Sequence, residues 1–468
     1  MGKPVLAIDF GSTFTKVSLI DLDTATLLAT AHAPTTVETD VTIGLEQALS
    51  SLSSRTRTFD PSSAQAIRAC SSAAGGLKVV VVGLVRSLSV EAAQRAALGA
   101  GAKIVGAYSG KLGAGEVKRI ATEGADVVLL GGGTDGGDEG TILHNARLLA
   151  DSQLAAPLIV AGNRVVGELC AETLRSHGKA VLLTENILPD LETLNVEPVR
   201  QTIRKLFMTH IIHAKGIDKA QRYVRGSIVP TPSAVLRGAQ LLAEGIGEEA
   251  GLGELVVVDV GGATTDVHSI ARGEPSESGV ILRGLPEPLA KRTVEGDLGL
   301  RENAVTLVHR AAARRLVVMA SIAAPGAPSH FEEYATMVTA ERGHVPQSRA
   351  EEAMDLAMAR MAVELAMERH AGTIQEVYTS VGSVRVQRGK DLSGVKTVIG
   401  VGGIFARGAN PRTILEGAVM SAESPFCLKP KAPALYIDRS YILYATGLLA
   451  DLDAAAALRL AKRQLVAL

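Results

Sequence analysis

The stretch LAIDFGSTFTKV, residues 6–17, decides the fold of this chain. An apolar strand ends in Asp9, a Gly-Ser-Thr turn follows, and a second apolar strand leads away. Glycine tolerates turn conformations that other residues avoid, and its N–H can come close to a phosphate oxygen. The pattern therefore predicts a β-hairpin that binds phosphate through Gly11, Ser12 and Thr13.

The same pattern returns near mid-chain. Residues 255–270 read LVVVDVGGATTDVHSI, an apolar strand that ends in Asp259 and a return strand that opens with Asp266. Two such hairpins predict two similar half-domains that face one nucleotide. Because carboxylates repel phosphate, Asp9 and Asp259 are predicted to hold Mg²⁺ from opposite sides, mostly through its retained waters.

A third glycine-rich turn, TVIGVGGIFARG at residues 397–408, follows another apolar strand. Singly, each of these motifs is typical of an ordinary tight turn. Their order resembles the phosphate-1, phosphate-2 and adenosine motifs of the actin, Hsp70 and sugar-kinase superfamily. The resemblance implies an α/β fold, two-lobed and actin/Hsp70-like, with Gly402 and Gly403 against the nucleoside.

The predicted site residues fall into three roles. Asp9, Asp259 and Asp266 are the catalytic candidates, where Asp266 either orients the attacking water or caps its hairpin. The predicted nucleotide contacts are Gly11, Ser12, Thr13, Thr15, Lys16, Gly261, Gly262, Thr264, Thr265, Gly402 and Gly403. A solvated, outward Lys16 is the alternative for that side chain. The predicted cofactors are ATP and Mg²⁺, and the lack of an obvious base is typical of a slow ATPase.

Composition narrows the class of protein. A chain of 468 residues is too long for a single hydrophobic core, so more than one structural unit is expected. The 48 basic and 49 acidic residues nearly balance, which argues against a dedicated nucleic-acid-binding surface. No apolar run approaches the roughly 18 residues that span a membrane, and the chain begins directly with a strand, so a cytoplasmic location is expected. Cys70, Cys170 and Cys427 lack the spacing of a metal site and are expected to be buried thiols.

A regular alternation of strand and helix fills residues 77–185. The predicted strands are LKVVVVGL, AKIVGAYS, ADVVLLGGG, APLIVAG and AVLLTEN, and the helices lie near residues 91–100, 116–123, 141–150 and 165–176. Five apolar strands with crossover helices predict a doubly wound parallel sheet. The predicted domains are residues 1–76 as the first part of the first lobe, 77–188 as a flavodoxin-like insertion, 189–250 as the return with a connecting helix, and 251–468 as the second lobe.

The inserted unit resembles the cobalamin-binding module of coenzyme-dependent mutases. The loop after its first strand, residues 85–89, lacks the histidine that ligates cobalt in that module, so direct ligation of this kind is not expected. The alternative is a generic α/β layer of the first lobe. In the loop 131–140, the acidic Asp135, Asp138 and Glu139 favour a metal, a cationic group or a partner surface over phosphate. A simple flexible turn is the alternative there.

The whole chain resembles the MutL/GlmL proteins, a family unrelated to the mismatch-repair protein of the same name. The resemblance rests on motifs in order along the chain, namely IDFGSTFTK, CSSAAGGLKVVVVGLV, LLGGGTDGGD, VPTPSAVLRGAQLLAEG, DVGGATTDVHS, SHFEEYATMV, VIGVGGIFARG and YILYATGLLA. It implies an accessory ATPase that reactivates an adenosylcobalamin-dependent mutase, of the glutamate mutase or aminomutase type. A small-molecule kinase and a reductive activator are the alternatives, and a homodimer is left open.

Four smaller features complete the predictions. Residues 232–244 are predicted to form an amphipathic helix that links the lobes, with 415–419 as its counterpart. Met354, Met358 and Met361 recur at helical spacing, which favours core packing over a partner groove. The pair His210 and His213 lacks a third ligand and is expected to be structural.

Overall fold

The computed structural model describes residues 4–11, 13–36, 39–56, 60, 63–72, 77–212, 217–224, 226–311, 315–317, 319–320, 330–380, 382–408 and 410–468. The strands, in chain order, are β1 (Val5–Phe10), β2 (Phe14–Asp21), β3 (Thr26–Pro34), β4 (Ala66–Ser71), β5 (Lys78–Gly83), β6 (Lys103–Ser109), β7 (Val127–Leu130), β8 (Leu158–Val160), β9 (Val181–Leu183), β10 (Val229–Pro230), β11 (Gly245–Ile246), β12 (Glu249–Ala250), β13 (Leu255–Val260), β14 (Thr265–Ile270), β15 (Val280–Arg283), β16 (Ala290–Glu295), β17 (Thr373–Thr379), β18 (Gly382–Arg388), β19 (Thr397–Val401), β20 (Ala434–Asp438) and β21 (Leu465–Ala467).

The α-helices are α1 (Val41–Thr56), α2 (Glu91–Gly99), α3 (Ala114–Thr122), α4 (Gly140–Ala150), α5 (Arg164–Ser176), α6 (Glu197–Ile212), α7 (Ile217–Ala220), α8 (Thr231–Glu244), α9 (Ala304–Arg310), α10 (Phe331–Ala340), α11 (Arg349–His370), α12 (Gly403–Arg407), α13 (Pro411–Leu415) and α14 (Leu443–Gln464). No described helix is both long enough and apolar enough to cross a membrane.

Two sheets of matching topology form the larger part of the chain. The first has the order β10-β4-β1-β2-β3, and the second has the order β16-β14-β13-β19-β20-β21. In each, one strand lies between an antiparallel hairpin partner (β1 with β2, β13 with β14) and a parallel neighbour (β4, β19). The repeated half-sheet confirms the predicted α/β fold of the actin/Hsp70 type.

Two helices that follow equivalent strands cross each other closely. α8 follows β10 and α14 follows β20, and the two helices pack on one another. A Cβ at Gly447 would collide with the carbonyl oxygen of Ala234, and a Cβ at Gly238 would collide with that of Leu443. Only glycine allows the two backbones to approach this closely, so the crossing holds the two halves together.

Residues 415–419 do not form the second connecting helix that the sequence predicted. Residues 415–419 lie at the end of α13 and in a short 3₁₀ turn, Glu416–Ala418, which packs against α11. A Cβ at Gly417 would lie 2.7 Å from the carbonyl oxygen of Arg360. Small residues indicated close packing correctly, but they did not identify the neighbour.

The methionine-bearing helix α11 is a core helix. Its first turn is capped by Ser348, whose Oγ accepts a hydrogen bond from the backbone N–H of Glu351 at 3.2 Å. Met354, Met358 and Met361 are at most 5% exposed and lie in the main apolar cluster behind the second sheet. The prediction of core packing is confirmed.

The alternating region forms a sheet of its own. Its order is β6-β5-β7-β8-β9, and every neighbouring pair is parallel. This is the order 2-1-3-4-5 of flavodoxin-like sheets. The predicted five strands are confirmed, and they are not a layer of the first half-sheet. The compact unit that contains them spans Ala74–His213 with Gly284–Pro286; the predicted limits 77 and 188 stay predictions.

The close crossing of α8 and α14 can be tested by adding a methyl group at Gly447. Gly447→Ala should lower the calorimetric Tm, because the new methyl group collides with the carbonyl of Ala234; overpacking of this kind costs about 1–3 kcal/mol. Gly394→Ala is the control, since a Cβ at Gly394 meets nothing within 4 Å. Equal Tm values for Gly447→Ala and the wild type would contradict the proposed tight crossing.

Candidate functional site

The two predicted hairpins have the same local geometry. The N–H of Gly11 donates to the carbonyl of Phe14 at 3.1 Å, and the N–H of Gly261 donates to that of Thr264 at 2.9 Å. Across the strands, Asp9 pairs with Lys16 as Asp259 pairs with Asp266. The two turns are therefore equivalent, except that one carries a lysine where the other carries an aspartate.

The two turns also face each other. A Cβ at Gly262 would lie 3.7 Å from the hydroxyl oxygen of Thr13 and 3.6 Å from Cβ of Arg301. Ser12 lies outside the described residues. The structure thus brings the predicted phosphate contacts of both hairpins to one place.

The second turn is held from one side by the segment 300–303. The carbonyl of Gly262 accepts hydrogen bonds from the N–H groups of Arg301 and Glu302, at 2.8 and 2.9 Å. The side-chain amide of Asn303 donates to the carbonyl of Ala263 at 2.8 Å. In the described part of the chain, the N–H groups of Gly262 and Ala263 have no protein acceptor. Free backbone N–H groups in a rigid turn are suited to binding an anion.

Asp9 is 1% exposed and has three partners. Its Oδ1 accepts a hydrogen bond from the hydroxyl of Thr231 at 2.7 Å and one from the thiol of Cys70 at 3.5 Å. Its Oδ2 lies 3.5 Å from Nζ of Lys16. Burial and the charge of Asp9 raise the pKa of Cys70 well above its usual value, so the thiol stays neutral. Neither Thr231 nor Cys70 was predicted to belong to the site.

Asp259 lies in a strongly negative environment. Burial, together with the charges of Asp266 and Asp9, raises the pKa of Asp259 to about 7. The positive charge of Lys16 opposes the shift. A cation beside Asp259 would stabilise its ionised form, as expected for a carboxylate that serves a metal.

Lys16 is turned inward, between the carboxylates and an aromatic ring. Its Nζ lies 3.1 Å from the ring centroid of Tyr441, and 30% of its side chain is exposed. Burial lowers the pKa of Lys16, while the charges of Asp9 and Asp259 oppose this change. The side chain of Lys16 therefore points toward Asp9 and not outward, and it is only partly exposed to solvent. Tyr441, which has a positive φ of 51°, was missed by the sequence analysis.

Asp266 already has partners at both oxygens. Its Oδ1 accepts hydrogen bonds from Nε and Nη2 of Arg292 at 2.9 and 2.6 Å, and its Oδ2 accepts one from the hydroxyl of Thr264 at 2.9 Å. Both interactions orient the carboxylate within its own half. Of the two roles predicted for Asp266, this arrangement favours the one that shapes the hairpin.

Thr15 and Thr265, at equivalent positions, use their hydroxyls inside the protein. The Oγ1 of Thr15 lies 3.0 Å from that of Thr35, and the Oγ1 of Thr265 donates to the carbonyl of Leu298 at 2.8 Å. Both threonines are fully buried. They support the turns from behind, while the phosphate contacts predicted for them stay predictions.

Gly402 and Gly403 differ in what surrounds them. Gly402 has a φ of 117°, and a Cβ there would collide with the carbonyl oxygen of Val260 and lie 3.3 Å from Oδ1 of Asp259. A Cβ at Gly403 would meet nothing within 4 Å. Gly402 thus allows β19 to pack against the end of β13, and Gly403 is the glycine with open space for a ligand.

No group of three or more His, Cys, Asp or Glu side chains within the described residues is arranged to hold a metal ion. Two facing carboxylates, Asp9 and Asp259, suit a hydrated Mg²⁺, which keeps several of its waters in proteins. The pair His210 and His213 lies outside the described side chains. Cys70, Cys170 and Cys427 are free and buried, as predicted.

The acidic loop of the five-stranded unit is rigidly built. Oδ1 of Asp135 accepts hydrogen bonds from the N–H of Arg164 and from Nδ2 of Asn186, at 2.9 and 2.8 Å. Oδ1 of Asp138 accepts one from the N–H of Thr141 at 2.9 Å, in the first turn of α4. These hydrogen bonds favour an ordered loop over the alternative of a simple flexible turn. Both aspartates serve the loop itself.

Two equivalent glycine-rich hairpins lie on a repeated half-sheet. This arrangement defines the class of protein that the motifs predicted, an α/β protein of the actin/Hsp70 type. A family model described as MutL protein matches residues 5–465. The chain is 45% identical over 464 residues to Protein MutL of Clostridium tetanomorphum, covering 98% of this chain and 99% of that protein. The chain belongs to the MutL protein family.

Several solved structures are similar to this chain at low identity. Nucleotide-free acetone carboxylase has a TM-score of 0.42 at 14% identity, over 96% of this chain and 70% of that chain. The activator of the 2-hydroxyisocaproyl-CoA dehydratase from Clostridium difficile, with bound ADPNP, has a TM-score of 0.32 at 9% identity, over 98% and 96%. The xylulose kinase from Bifidobacterium adolescentis has a TM-score of 0.32 at 13% identity, over 98% and 93%.

The neutralising role of Lys16 beside Asp9 can be tested by removing its charge. Lys16→Met should lower the Tm of the nucleotide-free protein by several degrees, because the buried Asp9 loses its neighbouring cation. Lys396→Met, which changes an exposed lysine, should leave the Tm unchanged. A Tm for Lys16→Met that equals that of the wild type would mean that Lys16 does not neutralise the carboxylates.

Proposed function

We propose that this chain binds ATP with Mg²⁺ between the two hairpins and hydrolyses it slowly. The observation that carries the proposal is the pair of equivalent turns, which face each other with Thr13 beside Gly262 and which each follow a strand ending in aspartate. Free N–H groups at Gly262 and Ala263 supply donors for phosphate oxygens. The open space at Gly403 supports the nucleoside position predicted there.

Phosphoryl transfer depends mainly on positioning and on charge neutralisation. Asp9 and Asp259 would hold the hydrated Mg²⁺, which neutralises phosphate charge when bound. Lys16 supplies a second positive charge beside the same carboxylates. Asp266 has hydrogen bonds at both oxygens, so it is a poor general base, which favours slow hydrolysis over efficient transfer to a small acceptor.

We further propose that hydrolysis serves an adenosylcobalamin-dependent mutase as an accessory or reactivating activity. The sequence resemblance to the glutamate mutase-associated proteins supports this partner, and membership of the MutL protein family agrees with it. A change in the distance between the hairpins would move α8 against α14, because the two helices cross at Gly238 and Gly447. The chain would thereby convert nucleotide state into a change of shape that a partner protein senses.

The third prediction tests ATP hydrolysis. Asp9→Asn and Asp259→Asn should each lower the rate by about a hundredfold or more, since each removes a charge that serves the metal. Asp23→Asn, in an exposed turn, is the control. The assay contains ATP and Mg²⁺ without any acceptor, a condition under which a small-molecule kinase would be inactive. Wild-type rates in both site variants would refute the assignment.

We propose that the five-stranded unit recognises the mutase. Its strand order matches that of flavodoxin-like modules, and the loop after β5 is a π-helical turn, Arg86–Val90, in which Ser89 accepts hydrogen bonds from the N–H groups of Leu84 and Val85. A loop that satisfies its own N–H groups is poorly suited to bind phosphate. Without the cobalt-ligating histidine, the unit is suited to dock where the genuine cobalamin module docks.

Asp135 and Asp138 are unsuitable for testing this docking by mutation, whereas Glu139 is suitable. Reversing the charge of Asp135 or Asp138 would disrupt the loop, since both carboxylates accept hydrogen bonds from backbone N–H groups at the beginnings of α5 and α4. The side chain of Glu139, in the same loop, is exposed and makes no hydrogen bond or ion pair with the described residues; only its backbone carbonyl accepts a hydrogen bond, from the N–H of Leu143. It is therefore the residue with which charge can be tested separately from folding.

The fourth prediction concerns association with a purified adenosylcobalamin-dependent glutamate mutase. Glu139→Lys should weaken association by about tenfold or more, since close interfacial charge pairs couple by a few kcal/mol. Glu172→Lys, an exposed residue two turns along α5, should not weaken it. Both variants should keep the basal ATPase rate. Wild-type association of Glu139→Lys, or loss of its ATPase activity, would contradict docking through this loop.

A further inference from the structure

Asp438 is a buried carboxylate that none of the sequence motifs contains. It is the last residue of β20, which lies parallel to β19 with Ile437 paired to Gly400. On the other side of β19, Asp259 pairs with Val401. Asp438 therefore ends its strand level with Asp259, two strands away. In-register residues of parallel strands project to the same face of the sheet, so both carboxylates belong to one face.

One oxygen of Asp438 has partners and the other has none. Oδ2 accepts hydrogen bonds from the backbone N–H groups of Ile442 and Leu443, both at 2.7 Å, at the beginning of α14. Oδ1 is buried and has no hydrogen-bond partner within the described residues. The side chain is only 2% exposed. A buried carboxylate oxygen without a partner is costly, so it indicates a cation or a water that binds there.

The charges nearby agree with a cation. Asp438 is one of the groups that raise the pKa of Asp259, and the positive charge of Lys16 opposes the rise that burial causes in the pKa of Asp438 itself. Lys16 already sits beside Asp9, where it provides positive charge in the nucleotide-free protein. A single ammonium group does not balance these three carboxylates.

A comparison of the two half-sheets shows that a carboxylate at the position of Asp438 occurs only in the second one. In the first half, the strand equivalent to β20 is β10, and the residue paired with Cys70 in the row of Asp9 is Val229. The second half therefore contributes an additional acid where the first half contributes an apolar residue. The additional negative charge is not a consequence of the repeated fold.

We propose that Asp438 is a third carboxylate beside the magnesium-nucleotide site, a positioning residue whose free oxygen accepts hydrogen bonds from the waters of the hydrated cation while the other caps α14. The contact is through water because the described acidic side chains do not form a group of three that could hold the ion directly. The proposal rests on the proposed function of Mg²⁺-dependent nucleotide binding. It adds a link, through one side chain and the waters of the ion, between the metal and the first turn of the helix that crosses α8.

The experiment separates charge from helix capping. Asp438→Asn removes the charge but keeps an oxygen that caps α14, whereas Asp438→Ala removes both. Asp453→Asn is the matched control, because Asp453 accepts a hydrogen bond from the N–H of Ala456 within the same helix but is exposed. For each variant we would measure the Tm without nucleotide and the Mg²⁺ concentration that gives half of the ADP-induced Tm increase.

Asp438→Asn should need about tenfold more Mg²⁺ than the wild type, a change expected for loss of one nearby charge in a partly buried site. Its nucleotide-free Tm should equal or exceed that of the wild type, because like-charge repulsion with Asp259 is relieved. Asp438→Ala should lower the nucleotide-free Tm through loss of the cap. Asp453→Asn should keep the Mg²⁺ requirement of the wild type.

Two results would overturn the proposal. One is an unchanged Mg²⁺ requirement in Asp438→Asn while the wild type shows a clear Mg²⁺-dependent increase. The other is a nucleotide-free Tm of Asp438→Asn that falls as far as that of Asp438→Ala, which would make the residue purely structural. Absence of any Mg²⁺-dependent increase in the wild type would instead refute the proposed nucleotide binding itself, and this inference with it.

Discussion

Mutual repulsion between buried carboxylates is the constraint on which the site depends. Asp9 is almost completely buried, and Asp259 has a pKa raised to about 7 by burial and by neighbouring acids. Hydrogen bonds from Thr231 and Cys70, and the charge of Lys16, stabilise Asp9 in the nucleotide-free protein. Because burying such charges costs free energy, the arrangement is suited to the cation that we propose to bind there.

Each of the two crossing helices, α8 and α14, begins at a buried carboxylate. Thr231, the first residue of α8, donates its hydroxyl hydrogen bond to Asp9, and Asp438 caps the beginning of α14. The hydroxyl oxygen of Tyr444 on α14 lies 3.1 Å from the hydroxyl oxygen of Ser18 on β2. A change in charge at the site would therefore act on the first turns of two helices that approach each other closely at Gly238 and Gly447.

Local sequence patterns were sufficient to predict the two hairpins and the five-stranded unit. In both, the information lies within a few residues: an apolar run, a terminal aspartate and a glycine turn, or the alternation of apolar strands with amphipathic helices. The same reasoning selected residues 415–419 as the second connecting helix, although α14 is the helix that packs against α8. Small residues indicate that something packs closely, but many segments contain them.

The sequence by itself determined the repeated hairpins, the five-stranded parallel sheet within residues 77–185 and the candidate aspartates Asp9 and Asp259. Only the tertiary structure decided their partners. Thr231 is 222 residues from Asp9 along the chain, and no local period relates such positions. Tyr441, and Asp438 as we propose, likewise lie near Asp9 and Asp259 because β20 lies beside β19. Strand pairing between distant segments places these side chains, and it depends on the packing of the whole core.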